Sequence, residues 1–357
     1  MTVTGQALTS PGNVDLDEPS EAAAILSDNH AGSTSTFQTI LAQLKSQGIR
    51  CSAVCDSQED NTEPRIAIHP VGVGTLHDIC DNLKQVKATR TLGISNEVQA
   101  IVENGKGSKH RYSTIRFIAA PTCKTVKRDP QSGIKNALRR ARAWLHPNGL
   151  FCIVLGPDGV GKSTTIQRLQ SELQTLLGPC TKQRWRPGVI RKVAPETSNR
   201  MPHAKLQRGS IASMLSLLGL ALDFSIGYVA LAYPAMVRSE TFIFDRYFHD
   251  LLIDPKRYRY AGPMWLPRYV SRFVPPRKAI FIILDADEEV ILRRKQELPL
   301  HELKRQRKAY RSFSSRMLNS MVVSTDRAVD EIVSEIMDKI VGTLSTRGSF
   351  RAASLQD

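Results

Sequence analysis

The chain has 357 residues, enough for two domains, and 41% of them are hydrophobic, enough to build real cores. Lys and Arg number 49 against 34 Asp and Glu, a formal net charge of +15, which favours partners that carry phosphate: nucleotides, nucleic acid or anionic lipid. The six cysteines include no Cys-x-x-Cys pair and no matching histidines, which disfavours zinc; without a basic-then-apolar leader, the chain reads as cytoplasmic and reduced.

Residues 1–35, rich in Ser, Thr, Gly and acids and without a Lys or Arg, read as a disordered acidic tail. Phe37, Ile40, Leu41 and Leu44 then recur at helical spacing within Phe37–Ile49. Strand-like runs follow at Cys51–Cys55 and Arg65–Val71, a helix-like one at Leu76–Val86, and strands at Val98–Val102 and Ile115–Ala119. The spacing predicts a small α/β domain over 36–145. Its element order loosely resembles a reduced nucleotidyltransferase-like fold. Such enzymes hold metal on paired carboxylates, and Arg65-Ile66-Ala67-Ile68-His69-Pro70 has none, so the domain is read as a non-catalytic module for substrate docking or homodimer contact. A basic helix-like segment, Ile134–Leu145, ends in the breakers His146-Pro147-Asn148-Gly149. A second domain is expected over 148–345, followed by a flexible tail at 346–357.

Phe151–Leu155 is wholly apolar, the pattern of a buried parallel strand, with Cys152 as a buried free thiol. It leads into Gly156-Pro157-Asp158-Gly159-Val160-Gly161-Lys162-Ser163-Thr164, which fits G-x-x-x-x-G-K-[ST] at every fixed position. A helix follows, with Ile166, Leu169, Leu173 and Leu176 on one face and Gly178 to end it. Glycines let the backbone wrap phosphates and aim N–H groups at them, and the helix N-terminus adds positive potential. In such a loop Lys162 reaches the β- and γ-phosphates of ATP and Ser163 offers a hydroxyl to Mg²⁺.

Ile211–Met236 carries Asp223 as its only formal charge and is long enough to span a bilayer. Asp223 at mid-span would cost ~2.5–3.5 kcal/mol. A single span would also separate the phosphate loop from Asp245, which must meet at one nucleotide. The segment therefore reads as a buried helix pair beside the active site and not as a transmembrane span, with re-entrant or peripheral membrane contact as the alternative. Thr241–Phe244, a second buried strand, ends in Asp245-Arg246-Tyr247: a carboxylate for Mg²⁺ beside a guanidinium for an acceptor phosphate. Ala279–Leu284, a third, ends in Asp285-Ala286-Asp287 and meets the helix start Glu288–Arg294. On one reading Asp287 caps that helix and Arg293 and Arg294 are a solvated face; on the other the segment is a mobile lid that carries a guanidinium to the transferring phosphoryl group.

The phosphate loop, Asp245-Arg246-Tyr247, Leu284–Arg294 and the terminal helix Val329–Val341 together resemble the thymidylate kinase family, most closely its thymidylate kinase-like branch among polysaccharide-biosynthesis proteins. The resemblance covers about 200 residues. It implies an α/β P-loop kinase fold with a parallel sheet of about five strands, flanked by helices and here preceded by the small α/β domain. It also implies transfer of the ATP γ-phosphoryl, with Mg²⁺ on Ser163 and Asp245, to a small phosphorylated acceptor. By that analogy Lys162, Arg246, Arg293 and Arg294 are catalytic. Asp158 faces the acceptor's sugar hydroxyl, and Arg186, Arg246, Tyr247 and Arg257 lie on the acceptor side. Gly159 stands where some members place a catalytic Arg. Trp185 and Arg186 replace the Arg and Glu of an Arg-Glu-Pro-Gly element, and Phe224 replaces an acceptor-phosphate Arg. These departures make dTMP itself a poor fit. A sugar-type acceptor, a nucleic-acid-associated NTPase and a non-enzymatic nucleotide-binding partner are the alternatives. The chain has no recognisable nucleic-acid-binding motif, which disfavours nucleic acid.

Overall fold

The computed structural model describes residues 31–47, 49, 51–54, 65–68, 79–80, 83, 86–91, 97–103, 111–119, 137, 140–184, 186–190, 209–275, 279–295 and 298–353. Most of the expected acidic tail and of the Leu76–Val86 helix, His69, Trp185 and residues 354–357 lie outside them. The described residues pack as two units, one within 1–128 and from Leu344 on, the other within 129–343.

In the first unit, α1 (Ala31–Ser46) precedes strands β1 (Cys51–Val54), β2 (Arg65–Ile68), β3 (Val86–Thr91), β4 (Glu97–Glu103) and β5 (Tyr112–Ala119). They form one sheet in the order β1-β2-β5-β4-β3, antiparallel except for the parallel β2–β5 pair. Phe37, Ile40, Leu41 and Leu44 of α1 bury with Ile66, Ile68, Val98, Ala100, Val102 and Phe117 of the sheet. The helical spacing in one element and the alternation in the other thus meet in one core. β3 was not foreseen. It is an edge strand with a bulge between Val86 and Ala88, and its sequence Val-Lys-Ala-Thr-Arg-Thr has no apolar run.

The second unit holds β6 (Leu150–Leu155), α2 (Lys162–Leu177), β7 (Cys180–Arg184), α3 (Ser210–Gly227), α4 (Tyr233–Val237), β8 (Thr241–Asp245), α5 (Asp250–Ile253), α6 (Trp265–Val270), β9 (Ile280–Asp285), α7 (Glu288–Arg294), α8 (Leu300–Ser314), β10 (Ser320–Ser324) and the start of α9 (Val329–Ala353). Its five strands run in the order β10-β9-β6-β8-β7, and every neighbouring pair is parallel. This is the α/β P-loop kinase fold, with the phosphate-loop strand β6 at the centre of the sheet. β6, β8 and β9 are buried along their whole length. One face of the sheet, including Phe151, Ile153, Phe242, Phe244 and Ile283, packs with Leu217, Leu220 and Phe224 of α3 and Tyr310 and Phe313 of α8. α2 packs along β6, β7 and β8. It ends at Gly178, where φ is +81°, as the sequence indicates.

The segment read as a buried helix pair is instead one rod, Ser210–Val237, long and apolar enough by length and composition to cross a membrane. Pro234 has no N–H, and the rod passes it through a widened π turn, Tyr228–Ala232, closed by Tyr233 N–H to Tyr228 O. Leu217, Leu220, Asp223 and Phe224 face inward, but only 28% of the rod's most apolar stretch is buried. The sequence misled because an apolar stretch reads the same whether protein covers one of its faces or both.

Candidate active site

The phosphate loop leaves the C-terminal end of β6 and returns as the first turn of α2. Gly159 (φ +84°) and Gly161 (φ +95°) supply left-handed backbone. A Cβ on Gly159 would lie 3.0 Å from Lys295 Cβ and 3.2 Å from Ile291 O, so α7 crowds the position where an Arg was noted as missing. Lys162 opens α2, is buried, and donates to Gly156 O (2.9 Å) and Pro157 O (2.6 Å). Burial first, and Arg246 second, push its pKa down to about 7 against the opposing pull of Asp158 and Asp245. Ser163 and Thr164 are exposed on the same turn, and Val160 is buried.

Asp158 is the junction of the site. Its carboxylate accepts from Arg246 through Oδ1 and from Arg257 through Oδ2, and lies 3.7 Å from Lys162 Nζ. Burial would raise its pKa, but Arg246, Lys162 and Arg257 outweigh that and hold it well below the usual carboxylate range. Arg246 has φ +66°, a left-handed backbone that costs a residue with a Cβ ~1–2 kcal/mol. Its N–H still bonds Val154 O (3.0 Å), so the chain turns sharply off β8 and brings the guanidinium back over the phosphate loop. Arg246 Nη1 also bonds Asp250 (3.0 Å), which accepts from Tyr310 Oη (2.5 Å) and Tyr258 Oη (3.4 Å). Arg257 is held in turn by Asp254, 3.2 Å from its Nε. Both guanidiniums are therefore buried and clamped on two sides. The resemblance put Arg246 and Arg257 on the acceptor side, but their clamping by Asp250 and Asp254 and the anchor on Tyr310 were not foreseen.

Asp245 ends β8, buried. Among the described residues its Oδ1 has no hydrogen-bond partner, and its Oδ2 lies 3.7 Å from Arg184 Nε. A buried carboxylate oxygen left without a donor suits a hard cation or its bound water, so the donor set fits Mg²⁺. Arg184, at the end of β7, brings a cation to this carboxylate, a placement for which the sequence carries no signal. Asp285, at the end of β9, is gripped by Arg307 Nε (2.7 Å) and Arg311 Nε (2.7 Å) from α8.

Arg186 lies 3.9 Å from Asp223, whose carboxylate accepts from the N–H groups of Gly188 (3.1 Å) and Ile190 (2.9 Å). A Cβ on Gly227 would fall 2.2 Å from Pro187 Cβ, so α3 and this loop touch directly. Tyr247 is buried. Its phenol donates to Pro275 O, and its ring packs edge-on against Phe224 at 4.6 Å. Phe224 is thus part of the core. Arg294 reaches the phosphate loop, with Nη1 3.5 Å from Val160 O and Nη2 3.2 Å from Thr325 O. The Arg293 side chain is 82% exposed and 3.9 Å from Glu289. The structure thus gathers Lys162, Asp158, Arg246 and Arg257 into one cluster and sets Arg294 against the loop, while Tyr247 packs in the core and Arg293 faces solvent.

No protein-family description and no curated protein matches the chain. Among solved structures it is similar to thymidylate kinase from Ehrlichia chaffeensis, with 16% identity and a TM-score of 0.42 over 54% of this chain and 100% of that one.

Proposed function

We propose that the second unit transfers the γ-phosphoryl group of ATP to a small acceptor that already carries a phosphate, of the nucleoside-monophosphate type. The observation that carries this is the convergence of two buried guanidiniums, Arg246 and Arg257, on a phosphate-loop carboxylate. Lys162 and the loop N–H groups suffice for ATP. Two further fixed cations beside them suit a second phosphate, bound through planar forks of donors.

In this reading Lys162 leaves the Gly156 and Pro157 carbonyls for the phosphates of ATP. Asp245 and the Ser163 hydroxyl would hold Mg²⁺, which offsets the charge of the phosphate oxygens when bound. Arg246 and Arg257 exchange the Asp158 carboxylate for the acceptor's phosphate, and Asp158 is then released towards the acceptor's hydroxyl groups. Arg294 adds positive charge from the side of α7, where Gly159 supplies none. The chemistry is positioning and charge neutralisation in a partly dry site.

dTMP is expected to be a poor substrate, because Phe224 is sealed in the core and cannot contribute to binding its phosphate. A panel of nucleoside monophosphates and sugar phosphates, scored by ADP release over the ATP-only rate, tests the reading, with Lys162→Ala as the inactive control. A folded Lys162→Ala variant with unchanged turnover, or no acceptor-dependent ADP from any member, would sink it. A kcat/KM above roughly 10⁴ M⁻¹s⁻¹ with dTMP would refute the acceptor argument alone.

A further inference from the structure

The outer face of the Ser210–Val237 rod bears Ile211, Leu215, Leu218, Leu222, Ile226 and Val229, all exposed, spaced three or four residues apart along one stripe. Ile211 is 77% and Leu215 66% exposed. The rod's one formal charge, Asp223, is turned the other way and hydrogen-bonded to the 186–190 loop, so the stripe carries no charge at all. A monomer in water gains nothing from an apolar stripe of this length; such patches mark a surface that something else covers.

A second exposed feature is joined to the start of the rod. Ala261 N–H bonds Ser213 Oγ (3.1 Å), which ties the chain leading into α6 to the first turn of α3. From there Trp265, Tyr269 and Phe273 stand exposed four residues apart, with the exposed Arg268 and Arg272 between them. Aromatic rings with interleaved Arg side chains are the chemistry of a water–lipid boundary: the rings sit at headgroup level and the guanidiniums meet lipid phosphates.

We propose that this face docks the protein, peripherally, on the surface of an anionic phospholipid bilayer. The rod lies flat with its stripe among the acyl chains near the headgroups, and the α6 segment anchors one end. Charge selects this occupant. With a net charge of +15 per chain, two copies repel, whereas an anionic surface attracts. A polyanion such as nucleic acid would satisfy Arg268 and Arg272 but leave the six aliphatic side chains against water. The rod does not cross the bilayer, because Asp223 is bonded to a loop of the same unit and the phosphate loop and Asp245 lie on either side of the rod in sequence. The proposal stands whether or not the site transfers phosphate.

Flotation of the full chain with phosphatidylcholine vesicles, with and without about 30 mol% phosphatidylglycerol, tests it at about 0.15 M salt. The expected result is association with the anionic vesicles that falls at least about tenfold in the triple variant L215Q/L222Q/W265S, whose melting and ATP binding match the parent. R268E/R272E, changed only at exposed positions, should lose anionic-vesicle binding to a similar degree; if the triple variant fails to fold, the single change Trp265→Ser at an exposed ring should still weaken binding, and binding that it leaves at full strength overturns the proposal. Failure of the full chain to float with anionic vesicles overturns the proposal. So does binding that salt abolishes but the apolar substitutions leave intact. A dimer or a polyanion complex dissolved by the same substitutions, without vesicle binding, overturns it too.

Discussion

Replacing Asp158 by Asn keeps the shape of the site and removes the one charge that faces Arg246, Arg257 and Lys162 together. Breaking a buried ion pair costs about 3–5 kcal/mol, because the abandoned cation stays buried. Here each guanidinium keeps a second carboxylate, Asp250 for Arg246 and Asp254 for Arg257, so the lower end, about 3 kcal/mol, is expected. For a unit of this size each kcal/mol moves the melting point by about 2–4 °C, a fall of roughly 6–12 °C. A phosphate that binds the freed guanidiniums replaces the missing charge, so added inorganic phosphate should recover part of the loss and should shift the variant more than the parent. Scanning calorimetry in a neutral amine buffer, with and without phosphate at matched ionic strength, reads both effects. The exposed Asp326→Asn serves as control. A variant that melts within about 2 °C of the parent, or a loss that phosphate leaves untouched, would refute the view of Asp158 as a stand-in for acceptor phosphate.

Asp245→Asn should raise the Mg²⁺ concentration needed for half-maximal turnover by tenfold or more, because an amide is a poor ligand for a hard cation; superimposable magnesium titrations would remove Asp245 from the metal site. Arg294→Ala should lower kcat by about tenfold or more and Arg293→Ala by far less, since only Arg294 touches the phosphate loop; the reverse order in steady-state kinetics would contradict the assignment. His249 is buried among Tyr247, Phe281 and Phe313, and burial pushes its pKa down to about 4 from 6.5. The unfolded chain therefore binds the extra proton first, so stability is intact above pH 6.5 and declines as pH falls towards 4. Between pH 7 and pH 5 this amounts to about 2 kcal/mol, and His249→Phe should abolish that part of the slope in denaturant titrations; an unchanged slope would place the titrating group elsewhere.

What the sequence made legible follows burial. β6, β8 and β9 lie at the centre of the sheet and are apolar at nearly every position, so their runs stand out. β7 and β10 are the two edges, each with one neighbour, and Cys-Thr-Lys-Gln-Arg and Ser-Met-Val-Val-Ser leave most of their residues partly or fully in water. α8 escaped for a different reason: its inward side carries Glu302, Gln306 and Arg307 beside Leu303, Tyr310 and Phe313, so no apolar stripe appears. Those buried polar groups serve the site, since Arg307 grips Asp285 and Tyr310 steadies Asp250, 60 residues away in sequence. The phosphate loop was readable because its chemistry is local. The clamp around Arg246 was not, because it closes only when α8 packs on the sheet.

The bonds from Asp223 to Gly188 and Ile190, and the contact of Gly227 with Pro187, leave the 186–190 loop little motion of its own. Helix and loop behave as one mechanical part, a lever with Arg186 on its inner arm and the aliphatic stripe on its outer arm. A displacement of the rod would carry Arg186 with it. Even Gly227→Ala, a single added methyl group, would pry the two arms apart.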